Sequence, residues 1–102
     1  MSRVRLSERC ETDLQAIWNH IGIEKDRPRQ AAAQIDTIHH KLDLLATQPD
    51  LGERRDDLRT NLRSSTAGSY VVFYFPLSDG IEVVAIIHGA RDIESLFRVG
   101  DV

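Results

Sequence analysis

Hydrophobic residues recur at helical spacing through the first half of the chain. The opening segment, residues 3–6, alternates polar and apolar side chains, which is typical of a short strand. Ser7 is a suitable N-cap, and the apolar positions after it are Cys10, Leu14, Ile17, Trp18 and Ile21. Because these positions fall on one face of a helix, we predict an amphipathic helix that ends at Gly22.

A second, longer helix follows. Pro28 suits the first helical position, because the N–H that proline lacks has no partner there in any case. Apolar residues then recur every three or four positions, at Ala31, Ile35, Ile38, Leu42 and Leu45. This helix must end before Pro49, since the residue before a proline disfavours helical angles. The two helices are therefore expected to form a helical hairpin.

The second half of the chain changes to the pattern of a sheet. Leu58 and Leu62 indicate a loose strand region, and residues 69–77 are rich in β-branched and aromatic side chains. Residues 78–80 (Ser-Asp-Gly) fit a hairpin turn, and residues 81–88 form the returning strand. A short helical pattern closes the chain, with Asp92 as N-cap and apolar residues at Ile93, Leu96 and Phe97.

This order of elements predicts an α+β fold. The elements run β-α-α-β-β-β, with a helical hairpin packed on an antiparallel sheet and a short C-terminal helix. With 102 residues, the chain is expected to form a single domain spanning residues 1–102.

Alternation along the strands assigns side chains to the two faces of the sheet. We predict that the core beneath the helices is formed by Val71, Phe73, Phe75 and Leu77. The opposite face would then carry Tyr70, Val72, Tyr74, Glu82, Val84, Ile86 and His88. This arrangement predicts a shared concave surface of two tyrosines, a glutamate and a histidine, with Arg63 and Arg91 at its margin.

Composition narrows the class of function. The net charge of −3 gives no basic surplus, so direct sequence-specific nucleic-acid binding is not expected. A single cysteine excludes an internal disulfide, and we expect Cys10 to be a buried thiol. The sequence shows neither an apolar segment of about 18 residues nor a signal peptide, so we expect a cytoplasmic protein that does not bind membranes.

Candidate chemistry is sparse. His39 and His40 point about 100° apart on a helix, so they give little support for a zinc site. No zinc motif or phosphate-binding glycine loop is present in the sequence, so neither a metal nor a cofactor is expected. RNA cleavage would need an acid, a base and cations on the phosphate. His88 or Tyr74 could exchange the proton, with Arg63 and Arg91 as the cations, and this alternative stays open at this point.

Five segments carry a resemblance to a known family. They are "ERCETDLQAIWNHI", "LATQPDLGERRDDLR", "LRSSTAGSYVVFYF", "DGIEVVAIIHGARD" and "IESLF", in this order along nearly the whole chain. The sequence resembles the ParE branch of the RelE/ParE superfamily, the toxins of bacterial type II toxin–antitoxin systems. The resemblance implies a β-α-α-β-β-β toxin that a ParD-like antitoxin neutralises and that inhibits DNA gyrase.

Departures from the two branches of this superfamily bear on the mechanism. Ala85 stands where ParE-like chains often carry an arginine. RelE-like ribonucleases place acid/base and basic groups where this chain has Asn61, Tyr70 and Phe97, and a phenyl ring cannot exchange a proton. We therefore predict no catalytic residues. The alternative is a RelE-like, ribosome-dependent mRNA endonuclease.

The expected function is partner binding rather than catalysis. An antitoxin segment is predicted to lie across the helical hairpin and the sheet edge, with its acidic residues near the arginine-rich segment 54–63. The candidate partner-binding residues are Arg54, Arg55, Arg59, Arg63, Tyr70, Tyr74, His88 and Arg91.

Overall fold

The computed structural model of the protein describes residues 2–89. A short strand β1 (Arg3–Leu6) leads into helix α1 (Glu8–Trp18), which continues as a π-helical segment (Asn19–Glu24) before the long helix α2 (Pro28–Thr47). A 3₁₀ turn (Pro49–Leu51) then precedes strands β2 (Glu53–Arg54), β3 (Arg63–Ala67), β4 (Tyr70–Leu77) and β5 (Gly80–His88). The α+β class is confirmed. The C-terminal helix expected near Phe97 lies outside the described residues.

The five strands form one mixed sheet in the order β1-β5-β4-β3-β2. Strands β2 to β5 pair antiparallel, as expected, but β1 runs parallel to β5. The expected antiparallel pairing is therefore confirmed for β2 to β5, and the parallel β1 makes the sheet mixed. A parallel pair requires a long crossover, and the helical hairpin belongs to the chain that connects these two strands.

The first helix begins where the sequence predicts and ends later. The Ser7 hydroxyl accepts a hydrogen bond from the Cys10 N–H, which confirms the N-cap. Gly22 does not end the helix but lies buried within the π-helical segment, where a Cβ would lie 3.4 Å from the Ala31 Cβ. At that distance a Cβ would make an ordinary van der Waals contact, so the π-helical segment packs directly against α2 around Gly22. The chain reverses direction at Asp26, whose φ is +52°.

The loop between β2 and β3 covers part of the sheet. Leu58 and Leu62 lie in this loop and do not form the strand region that their spacing suggested, because β3 begins only at Arg63. Leu62 is buried against Phe73, with Leu58 partly buried beside them.

The two faces of the sheet are the reverse of those predicted. Tyr70, Val72 and Tyr74 pack beneath the helices in the main core. Val71 and Phe73 instead lie on the outer face, in a smaller apolar cluster with the loop leucines. Alternation could not settle the choice because both faces of β4 are apolar, so either face could have packed on the helices.

A β-bulge explains a second error. Phe73 pairs with Ala85 but Tyr74 pairs with Val83, so Val84 is an extra residue in β5. The extra residue reverses the alternation of side chains along the rest of this strand. Glu82 therefore lies on the outer face, and His88 lies on the helix face opposite Tyr70.

No helix within residues 2–89 is long and apolar enough to span a membrane.

Candidate partner-binding surface

The arginine-rich segment lies at one edge of the sheet, in β2 and the loop that follows it. The Arg54 guanidinium contacts the Asp56 carboxylate at 2.8 Å, and Arg55 contacts Asp57 at 3.1 Å. The Asn61 N–H donates to the Asp56 carboxylate at 2.8 Å, which closes the loop between the strands. These arginines therefore have acidic neighbours two residues away in the sequence.

The same contacts stabilise the charged form of both aspartates. The backbone N–H of Asn61, followed by the side chain of Arg54, lowers the pKa of Asp56. The hydrogen bond from Arg55 lowers the pKa of Asp57. The Arg54 side chain is nevertheless 69% exposed, against 22% for Arg55, so Arg54 is the more accessible cation.

The side chain of Arg63 is bonded to the backbone of a neighbouring segment. Its guanidinium donates to the backbone carbonyls of Asp50 and Gly52, at 3.0 and 2.7 Å, and lies 3.7 Å from the Asp50 carboxylate. Arg59 donates to the Leu58 carbonyl at 3.4 Å. Arg63 thus attaches the chain after α2 to β3.

Tyr74 lies in the interior and is fully buried. Its hydroxyl donates to the Pro49 carbonyl at 2.7 Å and accepts from the Gly52 N–H at 2.9 Å. Burial raises the pKa of this hydroxyl. Tyr74 therefore holds the connection between α2 and β2 from inside the fold.

Tyr70 and His88 face each other where β4 begins and β5 ends. Their ring centroids are 5.3 Å apart and the rings are nearly perpendicular, an edge-to-face contact. Tyr70 is buried and His88 is exposed. This pair borders a groove of about 470 Å³ between β5 and the first helix.

The structure separates the residues that we expected to form one concave surface. Tyr70 and Tyr74 are four residues apart in β4, which is about 13 Å at the usual rise of about 3.3 Å per residue. His88 accompanies the first tyrosine and Arg63 pairs with the second. Glu82 is on the opposite face, and Arg91 lies outside the described residues.

Sequence reasoning missed the helix side of the groove. Arg9 and Asp13 form one pair there at 3.8 Å, and His20 and Glu24 form another at 2.9 Å. Each pair has the i,i+4 spacing of facing residues on a helix, which was the signal available in the sequence. The spacing does not show that these two pairs lie beside β5.

The part of the chain that the structure describes contains no cluster of three or more histidine, cysteine or acidic side chains that could hold a metal ion. Cys10 is fully buried, as predicted, and burial raises the pKa of its thiol from 9.0 to about 12. A thiol with this pKa is protonated at neutral pH, so it is a poor nucleophile.

Comparison with known proteins identifies the family. The model of the ParE toxin of the type II toxin–antitoxin system parDE matches residues 4–93. The chain belongs to the ParE toxin family. This membership confirms the family that the sequence resembles. The chain is therefore a toxin of a type II toxin–antitoxin system.

Relatives match this ParE chain over most of its length. Toxin ParE1 of Mycobacterium tuberculosis (strain CDC 1551 / Oshkosh) is 30% identical over 94 residues, covering 91% of this chain and 95% of the relative. Toxin ParE1 of Caulobacter vibrioides is 30% identical over 92 residues, covering 86% and 90%.

The fold also matches a solved structure. A chain of the chromosomal ParDE toxin–antitoxin system from P. aeruginosa superposes with a TM-score of 0.71 at 18% identity. The match covers 86% of this chain and 96% of the other. At this identity the likeness shows that the fold is shared.

Proposed function

We propose that this chain is a single-domain cytoplasmic toxin that inhibits DNA gyrase by binding it, without catalysis, and that a ParD-like antitoxin neutralises it. Membership of the ParE family supports the toxin role. The gyrase target and the antitoxin follow from the resemblance.

The observation that supports the non-catalytic proposal is that two of the groups named for RNA cleavage, Arg63 and Tyr74, are held away from His88. A general acid and a cation that act on one phosphate must both reach it within a few ångströms. His88 pairs with Tyr70, and Arg63 pairs with Tyr74. The two tyrosines are about 13 Å apart along β4. The Tyr74 hydroxyl is buried and bonded to two backbone groups, so it is not available to a substrate.

The antitoxin is proposed to bind near the C-terminal end of α2. Leu44 on α2 and Leu51 in the 3₁₀ turn are large apolar residues that are 40% and 53% exposed. The exposed Arg54 follows three residues after the second leucine. An extended antitoxin segment with apolar anchors and an acidic residue would fit these three side chains.

The function is tested by measuring whether DNA synthesis or protein synthesis stops first when the chain is expressed without an antitoxin. We expect DNA synthesis to stop before protein synthesis, and we expect the chain made by cell-free synthesis to block DNA supercoiling by purified gyrase. A Gly52→Ala variant is the inactive control, because the added Cβ would overlap the Tyr74 side chain and disrupt the fold.

Primer extension on mRNA from the same cells tests the alternative. If protein synthesis stops first and mRNA is cut at ribosomes, the chain is a RelE-like endonuclease and the gyrase proposal is wrong. Co-expression of a ParD-like antitoxin should restore growth in either case, so neutralisation is tested separately.

A further inference from the structure

Strand β5 extends beyond its neighbour β1. The four residues of β1 pair with Gly80 to Val83, and β5 continues to His88. The second half of β5 therefore has no strand beside it on this edge within residues 2–89. Open strand edges are templates for pairing with another chain.

The first helix replaces the missing strand with its own polar groups. The Ser7 N–H donates to the Val83 carbonyl at 3.0 Å, and the Ser7 hydroxyl donates to the Val84 carbonyl at 3.2 Å. Six residues further along the chain, in α1, the Asp13 carboxylate accepts from the Ile86 N–H at 3.0 Å. A side-chain oxygen thus occupies the position where the carbonyl of a neighbouring strand would lie.

The Asp13 carboxylate is held in this position. Arg9, one turn earlier, lies 3.8 Å from it, and the two side chains are only 26% and 20% exposed. Beyond Asp13 is the groove of about 470 Å³, which runs along Ile86, Ile87 and His88. There is therefore space beside this edge, and Asp13 stands at the border of that space.

We propose that Asp13 blocks the edge of β5 and so prevents a second copy of this chain from pairing along it. Two copies related by a twofold axis would present the same edge to each other, so each could satisfy the backbone groups of the other. The segment from Val83 to Ile87 is apolar and rich in β-branched residues, which favours such pairing. With Asp13 in place, the Ile86 N–H is already satisfied and is not available to a second strand.

The proposal is tested with the full chain, made by cell-free synthesis to avoid toxicity. In Asp13→Ala and Asp13→Gln the Ile86 N–H loses its partner, since alanine has no acceptor and glutamine places its oxygen one methylene too far. We expect both variants to approach twice the monomer mass of 11.6 kDa as concentration rises, measured by sedimentation or light scattering. Asp13→Asn keeps an acceptor at the same distance and should stay monomeric, as should the control Asp36→Ala on the exposed face of α2.

Hydrogen exchange supplies a measurement on the unmodified chain. The Ile86 amide should exchange slowly in the wild type and at least about fivefold faster in dilute Asp13→Ala, because one hydrogen bond is lost. The proposal is overturned if either folded variant stays monomeric at every concentration. Rapid exchange of the Ile86 amide in the wild type would also overturn it, whether or not the variants fold.

Discussion

Tyr74 joins the core to the connection that leaves α2. Its ring is buried under the helices, and its hydroxyl bonds two backbone groups of the segment between Pro49 and Gly52. The guanidinium of Arg63 bonds backbone carbonyls of the same segment. A residue that the pattern of the sequence placed on an open surface is therefore a structural anchor.

Removing this hydroxyl tests the role of Tyr74 as an anchor. We expect Tyr74→Phe to lower the free energy of unfolding by about 1–3 kcal/mol, because a part-buried carbonyl and a buried N–H lose their partner. Urea denaturation measures the change. Thr37→Ala is the control, since its hydroxyl bonds the Ala33 carbonyl at an exposed site and its loss should cost little. Equal stability of Tyr74→Phe and the wild type would contradict this role.

At the scale of the elements, the parallel pairing of β1 with β5 depends on one glycine. Gly80 begins β5 opposite Arg3, with a φ of +155° that L side chains rarely adopt. A Cβ at this position would overlap the Arg3 backbone. Glycine is thus required here both for the backbone angle and for the approach of the first strand.

Gly80→Ala should therefore release β1 from the sheet. We expect a loss of at least about 2 kcal/mol in the free energy of unfolding, from backbone strain and from the lost pairing, together with faster amide exchange in β1. Gly89→Ala is the matched control, because a Cβ there meets its nearest neighbours at 3.5 and 3.8 Å, ordinary contact distances. The explanation fails if the two substitutions cost the same.

For the whole molecule, the distribution of exposed charge and apolar surface defines how a partner would bind. The segment 54–63 carries four arginines and two aspartates, and only part of it is accessible. The exposed leucines precede it in the chain, on α2 and the 3₁₀ turn. Charge and apolar contact are thus expected to act at different stages of binding.

Binding kinetics with a ParD-like antitoxin test this division. Arg54→Ala should slow association and weaken its dependence on salt, because an exposed cation steers an acidic partner. Leu51→Ala should mainly speed dissociation, since it removes an exposed side chain that the antitoxin would bury. Stopped-flow measurements across a salt series would separate the two effects, with Arg29→Ala as a control for loss of an exposed charge. If neither salt nor Arg54→Ala changes the association rate, the docking site lies elsewhere.

The sequence by itself determined the two helices, strands β1, β4 and β5, and the family, whereas β2 and β3 were expected as one loose strand region at Leu58 and Leu62. Helical spacing identified α1 and α2, the Ser7 cap was correct, and β4 and β5 appeared within one residue of their observed starts. The helices and strands depend on contacts between residues close in sequence. The family is evident from short sequence motifs. Local patterns are sufficient for such features.

Only the tertiary structure decided which face of the sheet is covered and which residues meet. Both faces of β4 are apolar, so the choice depends on the packing of the helices, and the extra residue at Val84 turns His88 away from Glu82. The same dependence applies to Asp13, whose bond to the Ile86 N–H joins residues 73 positions apart. Contacts of this range follow from how elements pack, and the periodicity within a single element does not contain that information.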